Sequence, residues 1–239
     1  YHSILSSSKL AEERGQYKTF HGSLWDQNVL PLDSWNNLME YRGKRKAHKT
    51  TLNWDAVRES IKGSGMRNSN VMAIAPTATI GYINGVEQSI EPNFSVLFVY
   101  ENKSGNFYIT NPYFVNDMKE EGLWSPKVAQ LVKTADGDLS LLGENIPEWI
   151  KDKYKTAFDR DMFKLIECNA VRQKWVDQSI SFNLYNKTTS QKYLNDLYMA
   201  SWEAGLKTTY YLRNRAATKI EKSTEATEDS SSCSIEAMK

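Results

Sequence analysis

"NVMAIAPTATIG", residues 70–81, decides the fold. Its first half is a short unbroken apolar run closed by Pro76, the pattern of a strand covered on both faces, and such strands belong to sheets flanked by helices. Its second half, Pro76 to Ile80, sets small hydroxyl residues where the strand gives way to a loop. In α/β folds ligands bind beyond the carboxyl ends of strands, and small side chains there let backbone amides approach a phosphate. The alternative is a turn in which Thr77 and Thr79 only hydrogen-bond their own backbone, and the residues alone favour that commoner case. The chain has no Walker A pattern and no G-x-G-x-x-G, so no phosphate fingerprint decides the matter.

Outward from this stretch, helix and strand signals alternate. Upstream, "SSSKLAEERG" ends a helix at Gly15, and "PLDSWNNLMEYRG" starts one after Pro31 that stops at Gly43. "NWDAVRESIKGSG" makes a third, with Trp54, Val57 and Ile61 on one face. Downstream, "SVLFVYEN" and "FYITN" read as two strands joined by a tight turn at Gly105. Pro112 then opens a helix that Gly122 ends. From Pro147 to about Gln178 apolar residues recur at near-helical spacing, in one long helix or two abutting ones, with Cys168 among the apolar positions as a buried filler. "DQS", residues 177–179, ends that stretch by capping or lines a site. "SISFNLY" alternates Ile180, Phe182 and Leu184, a strand signature. Ser190 caps a last helix bearing Leu194, Leu197, Tyr198 and Trp202 on one face; Gly205 ends it, and "LKTTYYLR" follows as a strand. The expected class is α/β, with an antiparallel hairpin that keeps the sheet from being purely parallel.

Composition narrows the partners. Thirty basic and 29 acidic residues leave a net charge of +1, which removes any global electrostatic case for nucleic acid or an anionic membrane. Cys168 and Cys233 are the only cysteines and sit in unlike surroundings, which fits a reducing, cytoplasmic setting. No run approaches the ~20 apolar residues of a membrane span, and the opening residues lack the basic start and cleavage site of a signal peptide. The first residue is Tyr, which leaves a fragment or a processed product open. His2, His21 and His48 have no ligand spacing, so no metal site is expected. From Thr218 the chain turns to charges and serines that bury too little apolar area to offset ordering entropy, so residues 1–217 form the folded part and 218–239 a disordered polar tail. Cys233 lies in that tail, where a thiol has no packing role and tends to react.

Tyr210 and Tyr211 are adjacent in a strand-like segment. Neighbouring strand side chains point to opposite faces, so one packed face cannot use both rings. Tyrosine is a good strand former, and one buried and one exposed ring is the ordinary account. The other is redox, since a phenol can lose a proton and an electron together and adjacent rings can pass a hole along.

Together, "MRNSNVMAIAPTATIGYINGVEQSIEPNFS", "WVDQSISFNLY", "WEAGLKTTYYLRNR" and "SSCSIE" resemble the carboxyl-terminal portion of the large, catalytic subunit of class I ribonucleotide reductase. The resemblance runs nearly end to end, in the right order. It implies the closing part of a ten-stranded α/β barrel and radical-based reduction of ribonucleoside diphosphates to deoxyribonucleotides, the precursors of DNA. It implies that Pro76, Thr77, Ala78, Thr79 and Ile80 hold the substrate phosphates, and that Glu91 and Pro92 have a structural role nearby. Tyr210, nearer the active-site cysteine, and Tyr211, nearer the small subunit, would be the radical-transfer pair. In that family a metal-containing small subunit supplies the radical, a cysteine becomes a thiyl that takes the 3′ hydrogen of the ribose, the 2′ hydroxyl leaves as water, and a cysteine pair supplies the electrons. Thioredoxin or glutaredoxin is the external reductant, and no cofactor is bound by this chain itself.

The departures set the limits. The family's Asn-x-Cys-x-Glu finger-loop motif and the reducing cysteine pair of the active site do not occur. The chain should therefore be inactive alone and need an N-terminal part of the catalytic subunit; the rival reading is an inactive phosphate-binding or assembly fragment. The family's swinging tail ends in two cysteines that re-reduce the site by thiol exchange, whereas this tail carries Cys233 alone, which cannot form that intrachain disulfide.

Overall fold

The computed structural model describes residues 1–44, 50–103, 105–135 and 137–214. In chain order its elements are α1 (His2–Arg14), α2 (Pro31–Tyr41), α3 (Trp54–Ser64), α4 (Ala78–Asn84), β1 (Leu97–Asn102), β2 (Gly105–Thr110), α5 (Pro112–Glu120), α6 (Pro126–Thr134), a 3₁₀ stretch (Leu139–Asn145), α7 (Glu148–Lys153), a 3₁₀ turn (Ala157–Asp159), α8 (Met162–Gln173), β3 (Leu184–Asn186), α9 (Gln191–Glu203) and β4 (Leu212–Asn214). The described chain is mixed and mostly helical. β1 pairs antiparallel with β2, from Leu97 opposite Thr110 to Asn102 opposite Gly105, and β3 pairs with β4.

Two compact units emerge. The first joins Tyr1–Glu91, Asp161–Leu184 and Thr188–Arg213; the second joins Pro92–Arg160 and Tyr185–Lys187, with Asn214 the last described residue. In the first unit α1 packs on α3, burying Ile4, Val57, Ile61 and Met66 together with Phe20, Trp25 and Leu30. Small hydroxyls allow that close approach: Ser60 Oγ donates to Ser8 Oγ at 2.8 Å, and Ser7 Oγ donates to Asn68 Oδ1 at 3.0 Å. α2 begins where Leu30 N–H donates to Asp33 Oδ2 at 2.8 Å, and α9 where Ser190 Oγ accepts Tyr193 N–H. Gly205 lies at φ 85°, which favours glycine, and a Cβ there would come within 2.7 Å of Met39 Cε, so a larger residue would also have to displace the end of that side chain.

The second unit is an antiparallel hairpin with helices packed on it. Val96, Leu97, Phe114, Met118, Val132, Ile146 and Ile150 form its core. Asn111 caps α5 by accepting Tyr113 and Phe114 N–H, and Pro112 occupies the first turn. Asp117 Oδ2 accepts from Lys153 Nζ at 2.6 Å and from Tyr154 Oη at 2.8 Å, tying α5 to the end of α7. Those hydrogen bonds hold its carboxyl below the ordinary aspartate range.

Several expectations need correction. Of the two alternatives for the Pro147–Gln178 stretch, two helices stand, but they do not abut: α7 and α8 are separated by the 3₁₀ turn, where Thr156 Oγ1 donates to Asp159 at 2.6 Å, and Asp161 restarts the helix by accepting Phe163 N–H. Cys168 is exposed rather than a buried filler. On α9 Leu197 is buried, but Tyr198 and Trp202 face outward. The runs at 70–76 and 180–183 form no strand ladder beyond an isolated parallel bridge between Ile74 and Ile180, and the first is not covered on both faces, since Met72, Ala73 and Ala75 are exposed. The expected tail, with Cys233, lies outside the described residues, as does His48.

Candidate functional site

The sequence candidates at 76–80 and 210–211 both fall in the first unit, and one extended segment, 179–184, touches the surroundings of each. Ile74 N–H donates to the Ser179 carbonyl at 3.3 Å, and Ser181 N–H donates to the Ile74 carbonyl at 2.7 Å. This lays the apolar run beside the alternating one. Asp177 locks the join: its carboxylate accepts Val71 N–H at 2.8 Å and Met72 N–H at 2.7 Å. Lys207 Nζ donates to the Asp177 carbonyl, and Gln173 Nε2 donates to the Gln178 carbonyl at 2.8 Å. Burial pushes the Lys207 ammonium pKa down. The polar run "DQS" is thus a backbone clamp, not a simple helix cap.

The loop is a helix start rather than a plain turn. Thr77 sits at φ 49°, a conformation that costs a β-branched residue of order 1–3 kcal/mol and persists only where neighbours enforce it. The neighbour is Ser89, itself at φ 56°. Ser89 N–H donates to Thr77 Oγ1 at 2.8 Å, and Ser89 Oγ donates to the Ser181 carbonyl at 3.0 Å. α4 runs between the two, its ladder begun by Gly81 N–H donating to the Thr77 carbonyl at 2.7 Å. The first turn of any helix leaves amide N–H groups without intrahelical acceptors. Here that turn holds Ala78, Thr79 and Ile80, all exposed, while Pro76 and Thr77 are half-buried. Ile80, Ile83, Val86 and Ile90 also face outward, an apolar surface unusual for one short helix and its loop.

The tyrosines lie across the same segment. Tyr210 N–H donates to the Phe182 carbonyl at 2.8 Å, and Leu184 N–H donates to the Tyr211 carbonyl at 2.8 Å. The two rings do not split to opposite faces: their centroids are 4.1 Å apart, tilted by 46°, and Tyr210 Oη donates to Tyr211 Oη at 3.3 Å. Both are about half exposed, at 48% and 52%. The hydrogen bond to Tyr211 raises the Tyr210 phenol pKa, because it favours the protonated form. The Arg213 guanidinium stands 4.9 Å from the centre of the Tyr211 ring.

Sequence reasoning missed Ser181 and Asn183 and named Glu91 only as a neighbour. Asn183, 7% exposed, donates its backbone N–H to Glu91 Oε1 at 2.6 Å and its side-chain Nδ2 to Oε2 at 2.8 Å, while its Oδ1 accepts Tyr211 N–H at 3.2 Å. The signal was in the alternation itself: with Ile180, Phe182 and Leu184 on the buried face, the polar residues between them must serve the other. Among the described residues no group of three or more His, Cys, Asp or Glu is placed to hold a metal ion, and no helix is long and apolar enough to cross a membrane.

Comparison with known proteins matches residues 1–212 to the family "Ribonucleotide reductase, barrel domain". The chain is 48% identical over 226 residues to the ribonucleoside-diphosphate reductase subunit alpha of Chlamydia pneumoniae, covering 93% of this chain and 22% of that protein. It is 34% identical to the corresponding Helicobacter pylori subunit, covering 93% of this chain and 24% of the other. It is 33% identical to the large subunit from Plasmodium falciparum, covering 91% and 26%. The chain thus spans about a quarter of the length of these relatives. It belongs to the ribonucleotide reductase large-subunit family, as the carboxyl-terminal region of its barrel domain.

Proposed function

We propose that this chain supplies two parts of a class I ribonucleoside-diphosphate reductase: the substrate-phosphate loop, Pro76 to Ile80, and the radical-transfer pair, Tyr210 and Tyr211. The observation that carries the reading is the pair itself. Two phenols with hydroxyls 3.3 Å apart can exchange a proton and an electron directly, and a buried–exposed strand alternation gives no reason for that arrangement. Tyr211 passes the hole inward and Tyr210 delivers it to a cysteine on the N-terminal part of the catalytic subunit, which carries the Asn-x-Cys-x-Glu motif this chain lacks. The exposed Ile80, Ile83, Val86 and Ile90 suit a surface that such a part covers. The metal stays in the radical-generating small subunit, and thioredoxin or glutaredoxin closes the cycle. Amides at the first turn of α4 and the threonine hydroxyls suit a diphosphate, and the strained Thr77–Ser89 pair keeps that turn in shape.

The test mixes the purified chain with a polypeptide carrying the N-terminal part and with the radical-bearing small subunit, and measures reduction of a ribonucleoside diphosphate. Turnover that disappears in Tyr210→Phe and Tyr211→Phe supports the reading. Stable assembly without turnover, or turnover indifferent to both substitutions, refutes it in favour of an inactive phosphate-binding or assembly fragment.

A further inference from the structure

We infer that Asn183, held by Glu91, is the positioning residue that sets the geometry of the tyrosine pair; this rests on the role proposed for that pair. The two rings are half exposed, so packing alone does not hold them in register. Their backbone is held instead, at three points, by three consecutive residues: the Phe182 carbonyl takes Tyr210 N–H, Asn183 Oδ1 takes Tyr211 N–H, and Leu184 N–H meets the Tyr211 carbonyl. Of these only the middle contact comes from a side chain, so only it depends on which residue stands there.

Asn183 cannot rotate its amide away without breaking a further side-chain bond, and its backbone anchors the same partner. Its amide Nδ2 and backbone N–H both end on the Glu91 carboxylate, one on each oxygen, at 2.8 and 2.6 Å, a two-pronged charge-assisted contact. That fork fixes the amide so that its oxygen, not its nitrogen, faces Tyr211 N–H. Glu91 lies two residues beyond Ser89, whose backbone N–H and hydroxyl reach Thr77 and Ser181. The same short segment therefore carries the clamp on the tyrosines and the brace on the loop. Asn183 acts through the backbone of Tyr211 and touches no reacting atom.

The polarity of the fork gives the test. Asn183→Asp sets two carboxylates face to face; adding Glu91→Gln restores a donor opposite an acceptor with the roles exchanged, and leaves an oxygen for Tyr211 N–H. In the 239-residue chain, NMR should show solvent exchange of the Tyr211 amide rising about tenfold or more in the single variant, the order expected for losing one buried hydrogen bond, with ring-to-ring cross-peaks between Tyr210 and Tyr211 weakened. Both should return in the double variant. In the assembled reductase the single variant should lower kcat with an unchanged KM for the diphosphate, and the double variant should recover it. A purely structural role would lower the melting temperature without that split. Unchanged Tyr211 exchange and ring contacts in Asn183→Asp, or a folded double variant that restores neither, overturns the inference. If Asn183→Asp does not fold, Glu91→Gln alone, which keeps one acceptor, decides by the same two NMR readouts. An assembled enzyme without any turnover would refute the proposed function and leave the clamp to be judged by NMR.

Discussion

Asp177→Ala should loosen the base of the candidate site by an amount the structure bounds. The carboxylate accepts two backbone N–H groups, from Val71 at 2.8 Å and Met72 at 2.7 Å, across more than a hundred residues of sequence. A hydrogen bond to a charged group contributes roughly 1.5–3 kcal/mol where both partners are sheltered. The Val71 contact is partly buried and should contribute near the lower end of that range, about 1.5–2 kcal/mol. Met72 is exposed and its amide can turn to water, so its share is about 0.5–1 kcal/mol. Their sum, about 2–3 kcal/mol, corresponds to an increase of roughly 30- to 150-fold in the opening of this segment. The assay is residue-resolved hydrogen exchange at Val71, Met72 and Ile74, with β1 and β2 in the second unit as the internal reference. Asp177→Asn retains one carbonyl oxygen and should lose about half the effect on the same scale. Exchange at Val71 and Met72 that changes less than about threefold in Asp177→Ala would refute the idea that this side chain anchors the apolar run.

Tyr211→Phe should lower the Tyr210 phenol pKa toward the ordinary tyrosine value, seen by ultraviolet difference titration, because the hydrogen bond that favours the protonated form is gone. The sign is that of a raised acid: the contribution is complete below the unfolded pKa, about 10, and is lost as pH rises through the folded value. Asp117 works the other way. The Lys153 and Tyr154 hydrogen bonds depress its folded pKa, so its contribution is present above about pH 4 and lost as pH falls through the folded value; Asp117→Asn should flatten that acid limb in thermal melts followed by near-ultraviolet circular dichroism. Gly205→Ala should destabilise by about 1–3 kcal/mol in urea unfolding, from the positive φ and the contact with Met39, whereas alanine at the open turn of Gly22 should cost only its φ penalty, about 1 kcal/mol.

Most helices were legible because their ends are written in side chains: Pro31, Pro112, Ser190, Gly15 and Gly205 each mark a boundary by a local rule, whereas α6 was not read although Ser125 caps it and Pro126 opens it by the same rule. The β1–β2 hairpin was legible for the same reason. A division of the 147–178 stretch was an open alternative, but the place and width of the gap between α7 and α8 were not legible, since apolar spacing carried through a 3₁₀ turn that Thr156 and Asp159 impose by side-chain bonding. The exposure of Cys168, Tyr198 and Trp202 escaped the reading because periodicity identifies a stripe and not what covers it. Around the site, the run at 70–81 and the tyrosine pair stood out by residue type. The braces between them did not: Ser89, Glu91, Ser181 and Asn183 meet across about 90 residues of chain, as in the Asn183–Glu91 bonds, and sequence spacing says nothing about pairs that distant. The start of α4 at Ala78 was hidden as well, because its cap is a strained Thr77 held by Ser89 and not a sequence-local box.

The most direct measurement places a more easily oxidised phenol in the pair, as Tyr210→3-aminotyrosine, in the assembled reductase with a ribonucleoside diphosphate, and records the electron paramagnetic resonance spectrum after freezing. The account predicts an aminotyrosyl radical at position 210 that grows as the small subunit's radical declines, and that no longer forms when Tyr211→Phe is added. Turnover at the unsubstituted rate with the small subunit's signal intact and no radical at position 210 would contradict it.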